Sequence, residues 1–339
     1  MLYTDYDWTD LIPVPQDDGH DALVRIYYTD EYNQASSLLR AVICAAGPAG
    51  IDGIEQTERV VALTRTLVEL NPGHVTAWHC RLVALHKAGA NAIPKNTWLL
   101  PGLFSGQTRN NTDEEAGSVL IEDYTWLDAI TRRTAKNFQI WHYRQCLVPT
   151  NSTSFFPELA TAYHTRERAA IKEALAVDAK NYHAWAHFSW LLCAAAPENV
   201  GAMFPVTDDL NYTRELLEKD VFNNSVWAFR YFLIASCGGI HDALATELDF
   251  VTTMLPRAPQ NESVWNYVEG LAKLNVLTQE QLQELAGSYC TKCTYARELL
   301  MELDLCEQRY PQAQANMTVL EKLVPVRKGY WGYKCSLLR

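Results

Sequence analysis

Three features of the 339-residue chain predict an all-α fold, a solenoid of helical hairpin repeats. First, a turn of the form Asn-x-x-x-Trp recurs. It reads Asn137-Phe138-Gln139-Ile140-Trp141, Asn181-Tyr182-His183-Ala184-Trp185, Asn223-Asn224-Ser225-Val226-Trp227 and Asn261-Glu262-Ser263-Val264-Trp265, with a looser first copy, His74-Val75-Thr76-Ala77-Trp78. Second, apolar residues stand three and four apart before the first turn (Val60, Leu63, Leu67, Leu70) and after the turns (Trp78, Leu82, Leu85; Trp185, Phe188, Leu192; Trp227, Tyr231, Ile234). That is the stripe of a helix with one buried face. Third, the tryptophans lie 63, 44, 42 and 38 residues apart, a period of supersecondary size.

The elements follow in order. Asp7 to Asp18 carries Trp8, Pro13 and Pro15 and reads as an extended arm, which either packs on a partner or trails as a tail. Tyr32 to Ala46 reads as a helix. Each of the five units that follow is helix, tight turn, helix. The asparagine falls at the N-cap of the second helix, where its side-chain carbonyl can accept from the unpaired amides of the first turn. The tryptophans recur in register, which favours packing between repeats over a ligand cage. An arginine three residues on (Arg81, Arg144, Arg230) is expected to tie helices together, and the third unit has Phe188 in that place.

Ile93 to Ser118, rich in Pro, Gly, Asn and Thr, reads as an exposed excursion, and Pro149 to Pro157 as a polar break. Helical patterning resumes from Arg297 to Leu305 and on to Leu323, as a cap. No linker forces a boundary. The expectation is one helical-repeat domain over 1–339, with an arm and first helix in 1–50, five hairpins in 51–275 and a helical cap in 276–339.

Composition excludes several classes. A formal charge of -11 and pI near 5.3, with no long basic run, argue against nucleic acid as a partner. No stretch approaches the roughly 20 apolar residues of a membrane span; Trp190 to Ala196 is the nearest. The opening Met1 to Pro15 has acids and prolines where a signal peptide needs a basic end and an apolar run, so the expected compartment is the cytoplasm. Nine cysteines are too scattered for a disulfide framework. Cys290-x-x-Cys293 lacks the further ligands of a zinc site, and no metal site is expected in this chain. Without a secretory signal Asn151-Ser152-Thr153 carries no glycosylation argument. Cys335 misses the prenylation box by one residue.

The turns differ just before the cap. Lys136 and Lys180 stand there in two consecutive units, against Gly73, Phe222 and Gln260 in the others. Two neighbouring helix N-termini with a lysine each can attract phosphate or carboxylate, and solvated surface lysines are the plainer alternative. Phe138, Gln139, Tyr182 and His183 project from the same turns; hydroxyl, imidazole and amide groups can donate to such anions. There is no phosphate-binding glycine loop, no ordered Ser/His/Asp set and no metal cluster. A solenoid without its own nucleophile reads as a scaffold or as half of an enzyme.

These residues carry a resemblance over nearly the whole chain. The leading stretch Asp7-Trp8-Thr9-Asp10-Leu11-Ile12-Pro13-Val14-Pro15-Gln16-Asp17-Asp18-Gly19, the turn Lys136-Asn137-Phe138-Gln139, the turn Asp178-Ala179-Lys180-Asn181-Tyr182-His183-Ala184-Trp185 and the stretch Asp220-Val221-Phe222-Asn223-Asn224-Ser225-Val226-Trp227 closely resemble the α subunit shared by protein farnesyltransferase and type I protein geranylgeranyltransferase. The resemblance implies a right-handed superhelix of hairpins, a crescent wrapped around a separate β subunit. It implies a zinc held by that β subunit, magnesium with the diphosphate, and transfer of farnesyl or geranylgeranyl from its diphosphate to the thiol of a Cys-a-a-X protein. By the same resemblance Lys136 stabilises charge on the leaving diphosphate, Tyr182 lies near it, and Gln139 binds the substrate's terminal carboxylate. Asn181 and His183 line the cleft.

Two positions depart from the family pattern. Phe138 and Val75 both stand where tyrosine is common, and the Val75 change is expected to enlarge or reshape the pocket for the last substrate residue. Two rival readings are the α subunit of the Rab-type geranylgeranyltransferase and a peptide-binding scaffold of tetratricopeptide type. The leading arm and the lack of extra domains weigh against the first. The second has a period near 34 rather than 38 to 44.

Overall fold

The structure, a computed structural model, describes residues 2–19, 23, 24, 26–87, 113–147, 157–194, 206–236 and 246–337. Among them there is no strand. The α-helices are α1 (Asp30–Ala45), α2 (Glu58–Leu70), α3 (Val75–Lys87), α4 (Asp113–Thr134), α5 (Phe138–Leu147), α6 (Pro157–Val177), α7 (Tyr182–Ala194), α8 (Val206–Lys219), α9 (Asn224–Ser236), α10 (Glu247–Met254), α11 (Glu262–Lys273), α12 (Gln279–Tyr289), α13 (Thr294–Cys306), α14 (Tyr310–Leu323) and α15 (Lys328–Leu337). The predicted all-α hairpin architecture is what forms. Most of the excursion at Ile93 to Ser118 lies outside the described residues, but its last part already belongs to α4. The break at Pro149 to Pro157 and the triplet at Asn151 also lie outside them, except that Pro157 opens α6.

The chain divides into two compact units, residues 1–199 and 200–339. In the first, α2 pairs with α3, α4 with α5 and α6 with α7, and the second helices α3, α5 and α7 pack in series. In the second unit α8 pairs with α9 and α10 with α11, and α12, α13, α14 and α15 continue by successive pairing. The helical cap expected after the repeats is therefore helical to Leu337.

Each core follows from the apolar stripes. In the first unit Val60, Leu63 and Leu67 of α2 are buried with Trp78 of α3, Leu127 and Ile130 of α4 and Tyr143 of α5. Burying such a side chain contributes about 1.5–3 kcal/mol. In the second, the Trp227 ring lies 5.6 Å from Phe250 and 5.2 Å from Tyr267. The tryptophans of the turns are thus core residues, as their register predicts.

A buried carboxylate sits between successive repeats in both units. Asp123 takes the guanidinium of Arg81 and the hydroxyl of Tyr143, the latter at 2.7 Å. Glu167 accepts from Arg144 at 3.0 Å and lies 2.7 Å from His187 Nε2. Glu247 accepts from Arg230 at 3.0 Å and from Tyr267 at 2.6 Å. Each arginine belongs to one turn-bearing helix and each aromatic or imidazole partner to the next. The structural role expected of the arginines is correct, and the histidine two residues after Trp185 plays the part that tyrosine plays after Trp141 and Trp265.

The N-terminal arm packs on its own chain. Trp8 Nε1 donates to the Tyr3 carbonyl at 2.8 Å, and Val14 N–H to the Ser37 carbonyl at 3.0 Å. Arg59 of α2 grips Asp10 through two bonds of 2.7 Å, bonds Glu55, and lies over the Trp8 ring. A tail is excluded for this stretch, because a bidentate guanidinium, a cation–π contact and a buried Tyr3 fix it to α1 and α2.

Candidate functional site

The turns are built by two side chains each. Asn137 Oδ1 accepts from the amides of Gln139 and Ile140 at 2.9 and 3.3 Å. Asn181 Oδ1 accepts from His183 and Ala184 at 3.0 and 3.2 Å. Asn223 and Asn261 cap α9 and α11 in the same way. In the first turn His74 Nδ1 takes the place of the asparagine, accepting from Ala77 N–H at 3.2 Å. Burial pushes the pKa of His74 below its ordinary value, which keeps that nitrogen an acceptor.

The tryptophan then locks the turn from the other side. Its indole N–H donates to the carbonyl six residues upstream: Trp78 to Pro72, Trp141 to Ala135, Trp185 to Ala179, Trp227 to Val221 and Trp265 to Pro259, all at 2.7–2.9 Å. The indole thus does two jobs, filling the core and closing the loop that precedes its own helix. The sequence signal for this was present in the constant spacing from cap to tryptophan.

On the first unit the side chains at the start of each second helix are left outside the core. Val75, Phe138 and Tyr182, the first residues of α3, α5 and α7, are 58%, 57% and 77% exposed. Lys136 is exposed too, and its Nζ lies 3.0 Å from Asp178 Oδ2 of the next turn. Lys136 holds the Asp178 carboxyl below its ordinary pKa, with help from the Lys180 amide, which donates to Asp178 Oδ1 at 3.0 Å. Gln139 Nε2 donates to the Gly73 carbonyl at 3.3 Å, linking the second turn to the first. The Tyr182 and His183 rings meet edge-on at 5.6 Å.

Asn181 differs from the others. It is buried, its Oδ1 caps α7, and its Nδ2 donates to the Ala135 carbonyl at 3.0 Å. Both ends are engaged, so it joins the Lys136 turn to its own turn. Asp178 was not singled out from the sequence; only the register between turns brings it to Lys136. A cavity of about 280 Å³ is lined by Lys136, Asp178, Arg132, Glu173 and Val177, among others.

Among the described residues no three His, Cys, Asp or Glu side chains group in a way that could hold a metal ion. Cys293 Sγ instead caps α13, accepting from Ala296 N–H at 3.5 Å, and Cys290 Sγ donates to the Gly287 carbonyl.

The protein prenyltransferase alpha subunit repeat matches residues 120–150, 164–195, 206–237 and 244–273, which takes in four of the five turns. The chain is 26% identical over 351 residues to the protein farnesyltransferase/geranylgeranyltransferase type-1 subunit alpha of Candida albicans, covering 100% of this chain and 99% of that one. Four copies of that repeat are thus recognisable in this chain, and its similarity to type-1 α subunits runs from end to end. The Pisum sativum subunit of the same name is 28% identical over 98% of this chain and 93% of its own. The solved structure of Candida albicans protein geranylgeranyltransferase-I complexed with GGPP matches with a TM-score of 0.75 and 25% identity, over 99% of this chain and 100% of that one. The matched repeats take in the hairpins and capped turns of α4 to α11. The likeness runs end to end to type-1 subunits, so the Rab-type and scaffold readings are not favoured.

Proposed function

We propose that this chain is the α subunit of a heterodimeric protein prenyltransferase of the farnesyltransferase/geranylgeranyltransferase type I kind, active in the cytoplasm with a β subunit. The reaction moves a farnesyl or geranylgeranyl group from its diphosphate to the cysteine thiol of a Cys-a-a-X protein. The observation that carries the site assignment is local. An exposed lysine, Lys136, shares a turn with Gln139, and the Lys136–Asp178 and Asn181–Ala135 contacts join that turn to the one bearing Tyr182 and His183.

Charge explains what such a row can do. As the carbon–oxygen bond of the prenyl diphosphate breaks, the electron pair and the negative charge go to the departing diphosphate oxygen. An ammonium placed there favours the transition state over the ground state. Lys136 takes that role, and Tyr182 and His183 donate to the same phosphate oxygens. Gln139 offers its amide to the terminal carboxylate of the protein substrate. Asn181 works from below, holding the Lys136 turn against α7. Phe138 and Val75 present apolar faces where the family often carries hydroxyls, and they shape the substrate pocket.

The β subunit would hold the zinc that activates the substrate thiol, with magnesium accompanying the diphosphate; no residue of this chain is assigned to either ion. The testing experiment is prenyl transfer to a Cys-a-a-X peptide by this chain alone and by the chain co-expressed with a farnesyltransferase β subunit. Activity confined to the zinc-loaded pair is expected. A stable pair without transfer would overturn the assignment.

A further inference from the structure

The position three residues before each cap is held by Asn71, Thr134, Asp178, Asp220 and Ala258 in the five turns. Where that residue is Asn or Asp its side-chain oxygen closes a small turn, whereas the Thr134 hydroxyl donates back to the Ile130 carbonyl. Asn71 Oδ1 accepts from Gly73 N–H, Asp178 Oδ1 from Lys180 N–H and Asp220 Oδ1 from Phe222 N–H, each at 3.0 Å. Asn71 shows that a neutral amide oxygen is enough for this job. The negative charge at Asp178 is therefore surplus to its turn. Its second oxygen is the one that meets Lys136, across from the neighbouring repeat, at 3.0 Å. The pair is solvent-exposed, a setting in which ion pairs contribute little to stability.

We infer that Asp178 is a positioning residue for Lys136, holding its ammonium in partial neutralisation until charge grows on the leaving group. The inference rests on the proposed role of Lys136. The physical reason is competition. A lysine without a counter-charge would bind the ground-state diphosphate and the transition state alike, which tightens substrate binding without speeding the chemical step. A lysine shared with a carboxylate gives little to the ground state and shifts to the diphosphate as its oxygen gains charge. Asp178 thereby converts binding into rate, although it touches neither substrate nor reacting atoms.

The test uses the α/β pair with farnesyl diphosphate, reading equilibrium affinity and the single-turnover transfer rate in four variants. Asp178→Asn keeps the turn-closing oxygen, as Asn71 does, and removes only the charge. It is expected to bind farnesyl diphosphate about threefold or more tightly and to transfer about three- to tenfold more slowly. Asp178→Glu, which retains the charge, should restore the wild-type balance of affinity and rate. In a Lys136→Ala background Asp178→Asn should change neither quantity. Wild-type affinity and rate in Asp178→Asn, or an undiminished effect without Lys136, would overturn the inference and leave the role of Lys136 standing. If Lys136→Ala itself transferred at the wild-type rate, both would fall.

Discussion

Arg144 and Glu167 lie wholly inside the first unit and meet at 3.0 Å, with His187 of the next repeat completing the set at 2.7 Å. Burial alone would raise the Glu167 pKa, but Arg144 and His187 overcome it and hold the carboxyl at about 2. A carboxylate depressed in the folded state stabilises above its unfolded pKa, ordinarily 4.5. That contribution is lost as the pH falls from there toward 2. Replacing Glu167 by Gln takes one of two carboxylates from the buried Arg144, whose bond to Asp128 at 2.6 Å remains, an expected loss of about 1–3 kcal/mol in urea denaturation at pH 7. The variant should also lack the part of the wild-type acid limb below pH 4.5 that Glu167 supplies. A stability equal to wild type would show that the pair does not hold these repeats together.

His74 makes a second pH-dependent case. Desolvation lowers its folded pKa, so the folded chain binds fewer protons than the unfolded one near the ordinary value of 6.5. The sign follows: the contribution is full above 6.5 and is lost as the pH drops through that value, where protonation removes the acceptor that caps α3. His74→Asn supplies an oxygen that cannot titrate. It should be neutral or slightly stabilising at pH 8 and more stable than wild type by about 0.5–2 kcal/mol at pH 5, the scale of one cap. Thermal melts at the two pH values check this, and a pH-independent difference would count against it.

What the sequence revealed and what it hid divide along physical lines. Helix starts at Asn137, Asn181, Asn223 and Asn261 could be read directly, because a cap is a local device whose donor lies two or three residues away. The partners of the arginines could not. Arg81 reaches a carboxylate 42 residues along the chain, Arg144 one 23 away and Arg230 one 17 away. Those separations depend on the inter-turn lengths, so no fixed offset exists to search for. The second partner does have one, since Tyr143, His187 and Tyr267 each follow their carboxylate by 20 residues. The Lys136–Asp178 pair was hidden for the same reason as the arginines: it is made between repeats.

The arm supplies a test of local docking. Arg59 alone bonds Asp10 and Glu55, donates to the Asp7 carbonyl at 2.8 Å and covers Trp8. Arg59→Ala should release residues 2–19 while α1 and α2 stay packed through Leu39, Leu63 and Leu67. Hydrogen exchange of the arm should accelerate by about tenfold or more with little change in the global melting point. Unchanged protection would mean that Tyr3 and the Val14–Ser37 bond hold the arm without the guanidinium.

The role proposed for Lys136 can be tested on the chemical step itself. One charge-assisted hydrogen bond of about 1.5–3 kcal/mol, made in the transition state, corresponds to roughly ten- to a hundredfold in rate. Lys136→Ala in the α/β pair should lower the single-turnover transfer rate by that factor and leave prenyl diphosphate affinity nearly unchanged. Parallel losses in affinity and rate would assign the lysine to ground-state binding instead.

Val75 opens α3 with its side chain 58% exposed, two residues after Gly73, whose carbonyl accepts from Gln139 of the next turn. If Gln139 holds the substrate carboxylate, the last side chain of the Cys-a-a-X protein lies near Val75, and the volume there decides which residues fit. Tyrosine at this position would add an aromatic ring and a hydroxyl, filling space that valine leaves open. The discrimination available from such a change in an apolar pocket is about 1–3 kcal/mol, or roughly 10- to 200-fold. Val75→Tyr should therefore shift kcat/KM away from peptides ending in bulky residues toward those ending in small or polar ones, with kcat on a well-accepted peptide kept. The check is a panel of peptides differing only in the last residue, assayed with one β subunit. An unchanged order of preference would place the selectivity for that residue on the β subunit, since the only group altered on this chain would then have no contact with it.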